Sequence, residues 1–463
     1  MTAGAPARAA RAPRRAPSEL TFNPDRDLIE SYAAAEPDWL AADRRAALAR
    51  FDELPTESNQ LYTPYIDLRA ADLGNVRAYP EPAGAPDPAR PESASPRGAA
   101  AFADFDEDRV AGLVVDDAAR AAGVTVDTLD GLIGRDPETA RRLLTDGETL
   151  PADDRIAQLT RAGWNQGVVI RVPDRVRLDR PIVVRWSAGA AGTALLTRTI
   201  VELGDGASAS VVEELGRSAA AAGAAAGSGQ ALFTSTLEIR VGRGAELAVA
   251  SIQDFGPDHI VFQHRRATVG EEGKLHWALA QLGGRLVRSR VDNRLEGDRS
   301  SVEQVEIVFG ANEQLHDLTS YTRHVGRDTT GNLLSKGVLL DAARTYLKGM
   351  IVIEKSAVGT DSFLGEFGMN LSRKARSVAI PSLEIDQPDC RRAAHSSSVG
   401  PIDEAQLFYL ETRGIPPDDA RKFIVLGFLE PVVARVPLEG ERDRLRELLE
   451  AKWDAGIARA AAA

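Results

Sequence analysis

Residues 232–241 read LFTSTLEIRV. Leu237, Ile239 and Val241 alternate with Thr236, Glu238 and Arg240, the period of two expected of a strand with one buried face, because successive side chains leave a pleated backbone on opposite sides. More β-rich runs, bounded by glycine or proline, surround it: GVVIRV (167–172), PIVVRW (181–186), SVEQVEIVF (301–309) and KGMIVIE (348–354). No Asn-Gly hairpin signal separates them. A loose repeat links the runs, in LGDGASASVV (203–212), VGRGAELAVA (241–250), VGEEGKLHWA (269–278), LEGDRSSVEQV (295–305), LLDAARTYLKG (339–349) and LSRKARSVAI (371–380). Each has an apolar residue, a tight polar or glycine turn, a small or basic residue, and then a strand. The irregular spacing rules out a strict leucine-rich or hexapeptide repeat. It predicts a solenoid, a right-handed parallel β-helix in which each coil buries its face on the one before. A β-sandwich or barrel would also give many short strands and stays open at this level.

Outward from this core, expected over residues 163–400, the texture becomes helical. In the N-terminal region, 18–162, Glu36-Pro37 opens a segment in which Trp39, Leu40, Ala47, Leu48 and Phe51 recur at helical spacing before Leu54-Pro55. A second helical stretch is expected over about 107–162, with Val110, Leu113, Val114, Leu143, Leu144 and Ile156 as its apolar residues. Between them, residues 80–103 carry six prolines and read as an exposed loop. Residues 1–17, with four arginines, three prolines and no acid, read as a disordered tail. The Gly/Ala stretch 218–229 is expected to be a loop ejected from one coil. Residues 401–463 return to helix: Asp403 and Glu404 suit a helix N-terminus, Gly414 ends that helix, Pro416-Pro417-Asp418 starts another, and a third runs over about 438–454.

At 463 residues, 43% of them hydrophobic, the chain can bury a large core in two or three structural units. Its formal charge of −12 gives a nucleic-acid partner no electrostatic support. No apolar run approaches the roughly 18 residues of a membrane span, and the N-terminus lacks the apolar stretch of a secretory signal, so a cytoplasmic protein is expected. With one cysteine, Cys390, the chain can form neither an internal disulfide nor a cysteine-only metal cage.

The usual catalytic signatures are missing: there is no GxxxxGK[ST] loop, so no ATP binding by this chain alone, and no GxSxG, HExxH or CxxC. Of six histidines, five (His259, His264, His276, His316 and His324) lie within the expected solenoid with no helical i, i+4 pair and read as ordinary core or surface residues. His395 differs. It follows Cys390 by five residues in PDCRRAAHSSSVG (388–400), where strands give way to helices. Imidazole and thiolate both suit iron, and histidine can replace cysteine on an iron–sulfur cluster. Arg391 and Arg392 either lower the thiol pKa or form a solvated pair.

YTRHVGRDTTGNLLSKGVL (321–339), RTYLKG (344–349), PSLEI (381–385), HSSSVGPIDEAQLFYLETRGI (395–415) and ARKFIVLGF (420–428) together resemble the shared core of the SufB and SufD family of iron–sulfur cluster assembly proteins. The resemblance is diffuse upstream to about Gly167 and weak over the N-terminal region, although EPDWLAADRRAALARF (36–51) is similar to the family's first helix. It implies a β-helix between helical ends and a non-catalytic scaffold. Such a subunit works with a SufB-like subunit, at whose interface a transient iron–sulfur cluster forms, and with a SufC-like ATPase. The resemblance further implies that His395 matches a cluster ligand of SufD and that Ile402 to Pro437 docks the ATPase. Phe408, Tyr409, Arg413, Phe423 and Phe428 are the candidate contacts there. SRKARSVAIP (372–381) lacks the acceptor cysteine of SufB, which places the chain nearer SufD. Two departures are the shifted position of Cys390 and HSSSVG in place of HGATVG. A homodimer, and a flavin in the assembled complex, are not addressed by these motifs. The rival expectation is a β-helix enzyme acting on polysaccharide, with Asp292, Glu296 and Asp298 near Arg290 and Arg294 as its candidates; a solvated charged edge is the plainer reading of that group.

Overall fold

The computed structural model describes residues 19–79, 96, 98–145, 150–218 and 229–462, so the tail 1–17, most of the Pro/Ala-rich stretch and most of the Gly/Ala stretch lie outside the described residues. Its centre is a parallel β-solenoid. After α1 (Arg26–Ala35), α2 (Asp38–Glu53) and the short β1 (Arg77–Ala78) come β2 (Ala101–Asp106), β3 (Arg109–Val115), α3 (Asp117–Ala121), β4 (Thr125–Thr128), α4 (Leu129–Arg135), α5 (Pro137–Leu144) and α6 (Arg155–Gly163). The solenoid begins with β5 (Gln166–Val172), β6 (Ile182–Ala188), β7 (Thr193–Leu203), β8 (Ser208–Arg217), β9 (Ala231–Val241), β10 (Glu246–Asp254), β11 (His259–Val269) and β12 (Lys274–Gln281). It continues with β13 (Leu286–Leu295), β14 (Ser301–Gly310), β15 (Leu315–His324), β16 (Thr330–Leu339), β17 (Arg344–Ile353), β18 (Asp361–Asn370), β19 (Arg376–Ile385) and β20 (Arg392–Gly400). Three helices follow: α7 (Glu404–Thr412), α8 (Pro417–Val433) and α9 (Glu439–Ala462).

Odd strands from β5 to β19 make one sheet and even strands from β6 to β20 the other, so each odd–even pair is one coil and the described residues contain eight coils. Within the solenoid all neighbours pair in parallel and in register. Side chains therefore stack in columns, and an inward residue stays inward from coil to coil. The interior fills with Val201, Phe233, Leu247, Trp277, Val291 and Val302 among others, each at most 2% exposed.

The repeat has a backbone cause. Arg175, Gly206, Gly244, Glu272, Arg299, Asp328 and Gly359 occupy one corner of successive coils, all with φ between +53° and +75°. Each of their amides donates to a carbonyl of the following coil at 2.7 or 2.8 Å. The corner needs a left-handed residue, which glycine adopts freely and others at a cost of roughly 1–2 kcal/mol; the ladder bond helps hold the four non-glycine residues there. LLDAARTYLKG and LSRKARSVAI lie at a different corner, ahead of β17 and β19, so the sequence repeat mixes two positions of the coil. That mixing accounts for its uneven spacing.

Two expectations are corrected at the N-terminal end. Val110, Leu113 and Val114 lie on β3 and not on a helix, and Ala101 to Ala103, expected in the loop, open β2. β2 pairs in parallel with β6 and antiparallel with β3, while β4 pairs antiparallel with β5, so these strands close the first coil. Capping a sheet edge that would otherwise be open outweighs the weak local preference of an Ala-rich run. Leu143, Leu144 and Ile156 are helical as expected.

The flanking regions cover the two outer faces. Phe22, Phe51, Leu73, Ile156 and Leu159 pack on Leu196, Leu232, Phe262 and Leu286 of the odd sheet. Val425, Leu429, Val433, Leu445, Leu449 and Trp453 pack on Ile252, Ala280, Ile307 and Val338 of the even sheet.

Candidate functional site at the open end of the solenoid

At the N-terminal end β2, β3 and β4 cap the coils, but β19 and β20 are the free edges of their sheets at the other end. The direction of side chains there follows from the columns below them. Leu333 and Leu364 are buried with Ile351 and Ile353 in the interior. Leu333 is the register partner of Leu364, and Leu364 that of His395. His395 therefore heads an inward-facing column. It is nonetheless exposed, because no coil lies above it. Ile385 and Val399, 45% and 42% exposed, are the large apolar side chains of the same end.

Cys390 lies between β19 and β20, half-buried, and packs with Leu383 and Ala393 against the cluster that contains Ile353, Ala357 and Leu364. Its surroundings are those of a small hydrophobe at the end of a core. Arg391 pairs with Asp328 at 2.5 Å and Arg392 with Asp361 at 2.6 Å, so both guanidiniums are engaged by carboxylates. Among the described residues no group of three or more His, Cys, Asp or Glu side chains is placed to hold a metal ion.

One residue of this end carried no sequence signal. Glu366 is the register partner of Ser335 below and Ser397 above, in the column next to that of His395. It is 1% exposed, and burial pushes its carboxyl up to about 8, against which the bond from Ile380 acts weakly. Its Oε2 accepts from the backbone N–H of Ile380, on β19 in the last coil, at 2.8 Å.

The candidate partner contacts fall into two groups. α7 is capped by Asp403, which accepts from Ala405 N at 2.8 Å, and it buries none of its side chains. Phe408, Tyr409 and Phe423 are 68%, 57% and 64% exposed. Arg413 closes α7 with its guanidinium 5.2 Å from the Tyr409 ring. Phe428 instead faces the solenoid: Lys336 Nζ on β16 lies 4.5 Å from its ring and donates to its carbonyl at 3.1 Å.

The other candidates have structural surroundings. His264 Nε2 is 3.0 Å from Asp292, Arg290 is 2.9 Å from Asp292 and 3.3 Å from Asp154, and Arg288 is 2.8 Å from Glu57. Asp292 is thus buried in an ion-pair network beneath the N-terminal region, which corrects the expectation of a solvated edge. Glu296 pairs with Arg294, and Asp298 accepts from Arg327 N. His259, His316 and His324 are buried, whereas His276 lies half-exposed between Glu246 and Glu303.

With this geometry in place, residues 185–428 match the family described as SUF system FeS cluster assembly, SufBD core domain. The chain belongs to the SufBD core family. Within it, the chain is 29% identical over 301 residues to the iron-sulfur cluster assembly protein SufD of Bacillus subtilis, covering 65% of this chain and 67% of that one. It is 28% identical over 343 residues to a SufBD family protein of Mycobacterium tuberculosis (72% and 83%), and 27% identical over 288 residues to one of Staphylococcus saprophyticus (62% and 60%). The family match runs from β6 into α8 and includes the open end. No helix among the described residues is long and apolar enough to cross a membrane.

Proposed function

We propose that this chain is a SufD-like, non-catalytic scaffold subunit whose open solenoid end meets a SufB-like subunit, with the nascent iron–sulfur cluster forming at that contact. The observation that carries the reading is His395 at the head of an inward-facing column whose last coil is uncovered. The cluster is cargo. One imidazole cannot hold it, and a weak neutral ligand suits a scaffold that must release its product. His395 contributes that ligand, and the partner contributes the rest. Cys390 is the second candidate, but it is tied into the apolar end of the core.

Coupling to a SufC-like ATPase runs through α7 and α8. Phe408, Tyr409, Arg413 and Phe423 present an exposed aromatic and cationic surface of the kind that anchors protein partners. Phe428 and Lys336 tie α8 to β16, so a displacement of α8 loads the even sheet, which ends at His395. ATP binding shifts the population of open and closed ends only through contacts that differ between them.

Anaerobic co-purification with a SufB-like subunit and a SufC-like ATPase, followed by iron and sulfide analysis, tests the reading. A stoichiometric complex that accumulates clusters is expected. His395→Ala in that complex is expected to lower cluster content at least tenfold; wild-type content in the variant removes the ligand role. The polysaccharide alternative has little to stand on, since Asp292 and Arg290 are buried in their network.

A further inference from the structure

We propose that Glu366 is a second iron-binding side chain of the open end, acting beside His395 on the same iron site. The proposal rests on the reading that the cluster forms at this end of the solenoid.

Direction comes from the columns. Glu306, Ser335, Glu366 and Ser397 stack on successive even strands, as do Gln304, Leu333, Leu364 and His395 two positions earlier. Glu366 and His395 are thus diagonal neighbours on adjacent strands, both on the inner face. Strands about 4.8 Å apart put diagonal Cβ atoms within roughly 8 Å, a gap that a glutamate and an imidazole close from either side. The hydrogen bond from Ile380 N ties Oε2 to the last coil, while Oε1 lies against Gly349 of its own coil. Glu366 is therefore buried one coil below the open end, with one oxygen reaching the last coil.

Chemistry separates Glu366 from the acids deeper in the interior. Glu213 meets Arg265 and Ser251, at 3.3 and 2.7 Å. Glu306 accepts from Gln281 and Ser289 and feels the charge of Arg265. Among the described residues no cation is placed on Glu366: burial raises its carboxyl, the Ile380 amide acts against that, and the Tyr62 phenol feels its charge. A buried carboxyl without a cation keeps its proton unless something supplies a positive charge beside it. Ferrous iron does, and carboxylate with imidazole is an established ligand set for it. As the iron–oxygen bond forms, the carboxyl proton leaves to solvent and no electron is transferred.

The test uses the complete complex, purified without oxygen and titrated with ferrous iron. Glu366→Gln keeps the side chain's size and an oxygen for the Ile380 amide; Glu366→Asp keeps the carboxylate on a shorter arm. Glu366→Gln is expected to weaken ferrous iron binding at least tenfold and to alter the Mössbauer signature of the reconstituted cluster, with the melting temperature unchanged or raised. Glu366→Asp is expected to fall between this variant and wild type. Wild-type iron binding in Glu366→Gln overturns the proposal, as does a loss of iron that only accompanies a lower melting temperature in both variants. His395→Ala is run in parallel. If it binds iron normally while Glu366→Gln does not, the His395 reading fails and Glu366 stands; the reverse result leaves His395 and removes Glu366. A wild-type complex that binds no iron overturns the assembly-site reading and this proposal with it.

Discussion

His324 and Glu306 show how a polar interior ties this protein's stability to pH from both sides. His324 is buried between Thr329 and Ser362, at 2.8 and 3.0 Å, and burial pushes its imidazole down to about 4. A folded pKa below the unfolded value of about 6.5 means that the stability is present above that pH and is lost as pH falls toward 4. His324→Gln is expected to reduce the slope of stability against pH between 6.5 and 4 by about 1.4 kcal/mol per pH unit, measured by urea unfolding across that range. Glu306 has the opposite sign. Burial raises its carboxyl to about 7 despite Arg265, and Oε2 has no hydrogen-bond partner. Its contribution is present below the unfolded pKa and is lost as pH rises through 7. Glu306→Gln is expected to stabilise the protein by about 2 kcal/mol at pH 8 and by little at pH 4, in the same unfolding series.

At the scale of elements, α7 and α8 divide their aromatic residues between two tasks. Phe408 and Phe423 are exposed, whereas Phe428 faces the solenoid. Substituting the exposed pair, Phe408→Asp with Phe423→Asp, is expected to change unfolding free energy by less than about 0.5 kcal/mol. The same pair of changes is expected to abolish ATPase co-purification, since aromatic anchors dominate such contacts. Phe428→Ala is expected to cost about 2 kcal/mol, seen in the same melts. The sequence carries the bounds of these helices in Asp403, Gly414 and Pro417, each acting on its own turn. It could not separate Phe428 from Phe423, because helical spacing assigns a face and not what the face meets.

For the molecule as a whole, two flanking regions hold a solenoid that is capped at one end and open at the other. The N-terminal region is fastened to the odd sheet by buried polar contacts: Arg288 to Glu57, Arg290 to Asp154, Asn59 to the Tyr321 hydroxyl at 2.9 Å, and the Tyr62 hydroxyl to the Gly349 carbonyl at 3.0 Å. Removing one member of such a network leaves its partners' charges buried. Arg290→Ala is expected to cost about 3–5 kcal/mol and to free the N-terminal region for limited proteolysis ahead of the solenoid, measured by melting and by digestion time course. Cleavage throughout the chain at equal rates would show that the region and the solenoid unfold together.

By itself the sequence determined the solenoid and its helical flanks and singled out His395 as a candidate: alternation, turn residues and motifs are local, and each coil repeats the same local problem. The corner residues show the limit of that reading, since a left-handed turn can be held by Asp328 or Arg299 as well as by Gly244, and the repeat blurs accordingly. Only the tertiary structure decided that Val110 joins a capping strand, that Asp292 is buried beneath the N-terminal region, and that Glu366 is buried in the column beside that of His395. Those outcomes depend on which coil comes last and on what covers each face. Both are set by contacts between residues far apart in the chain, and no local pattern encodes them.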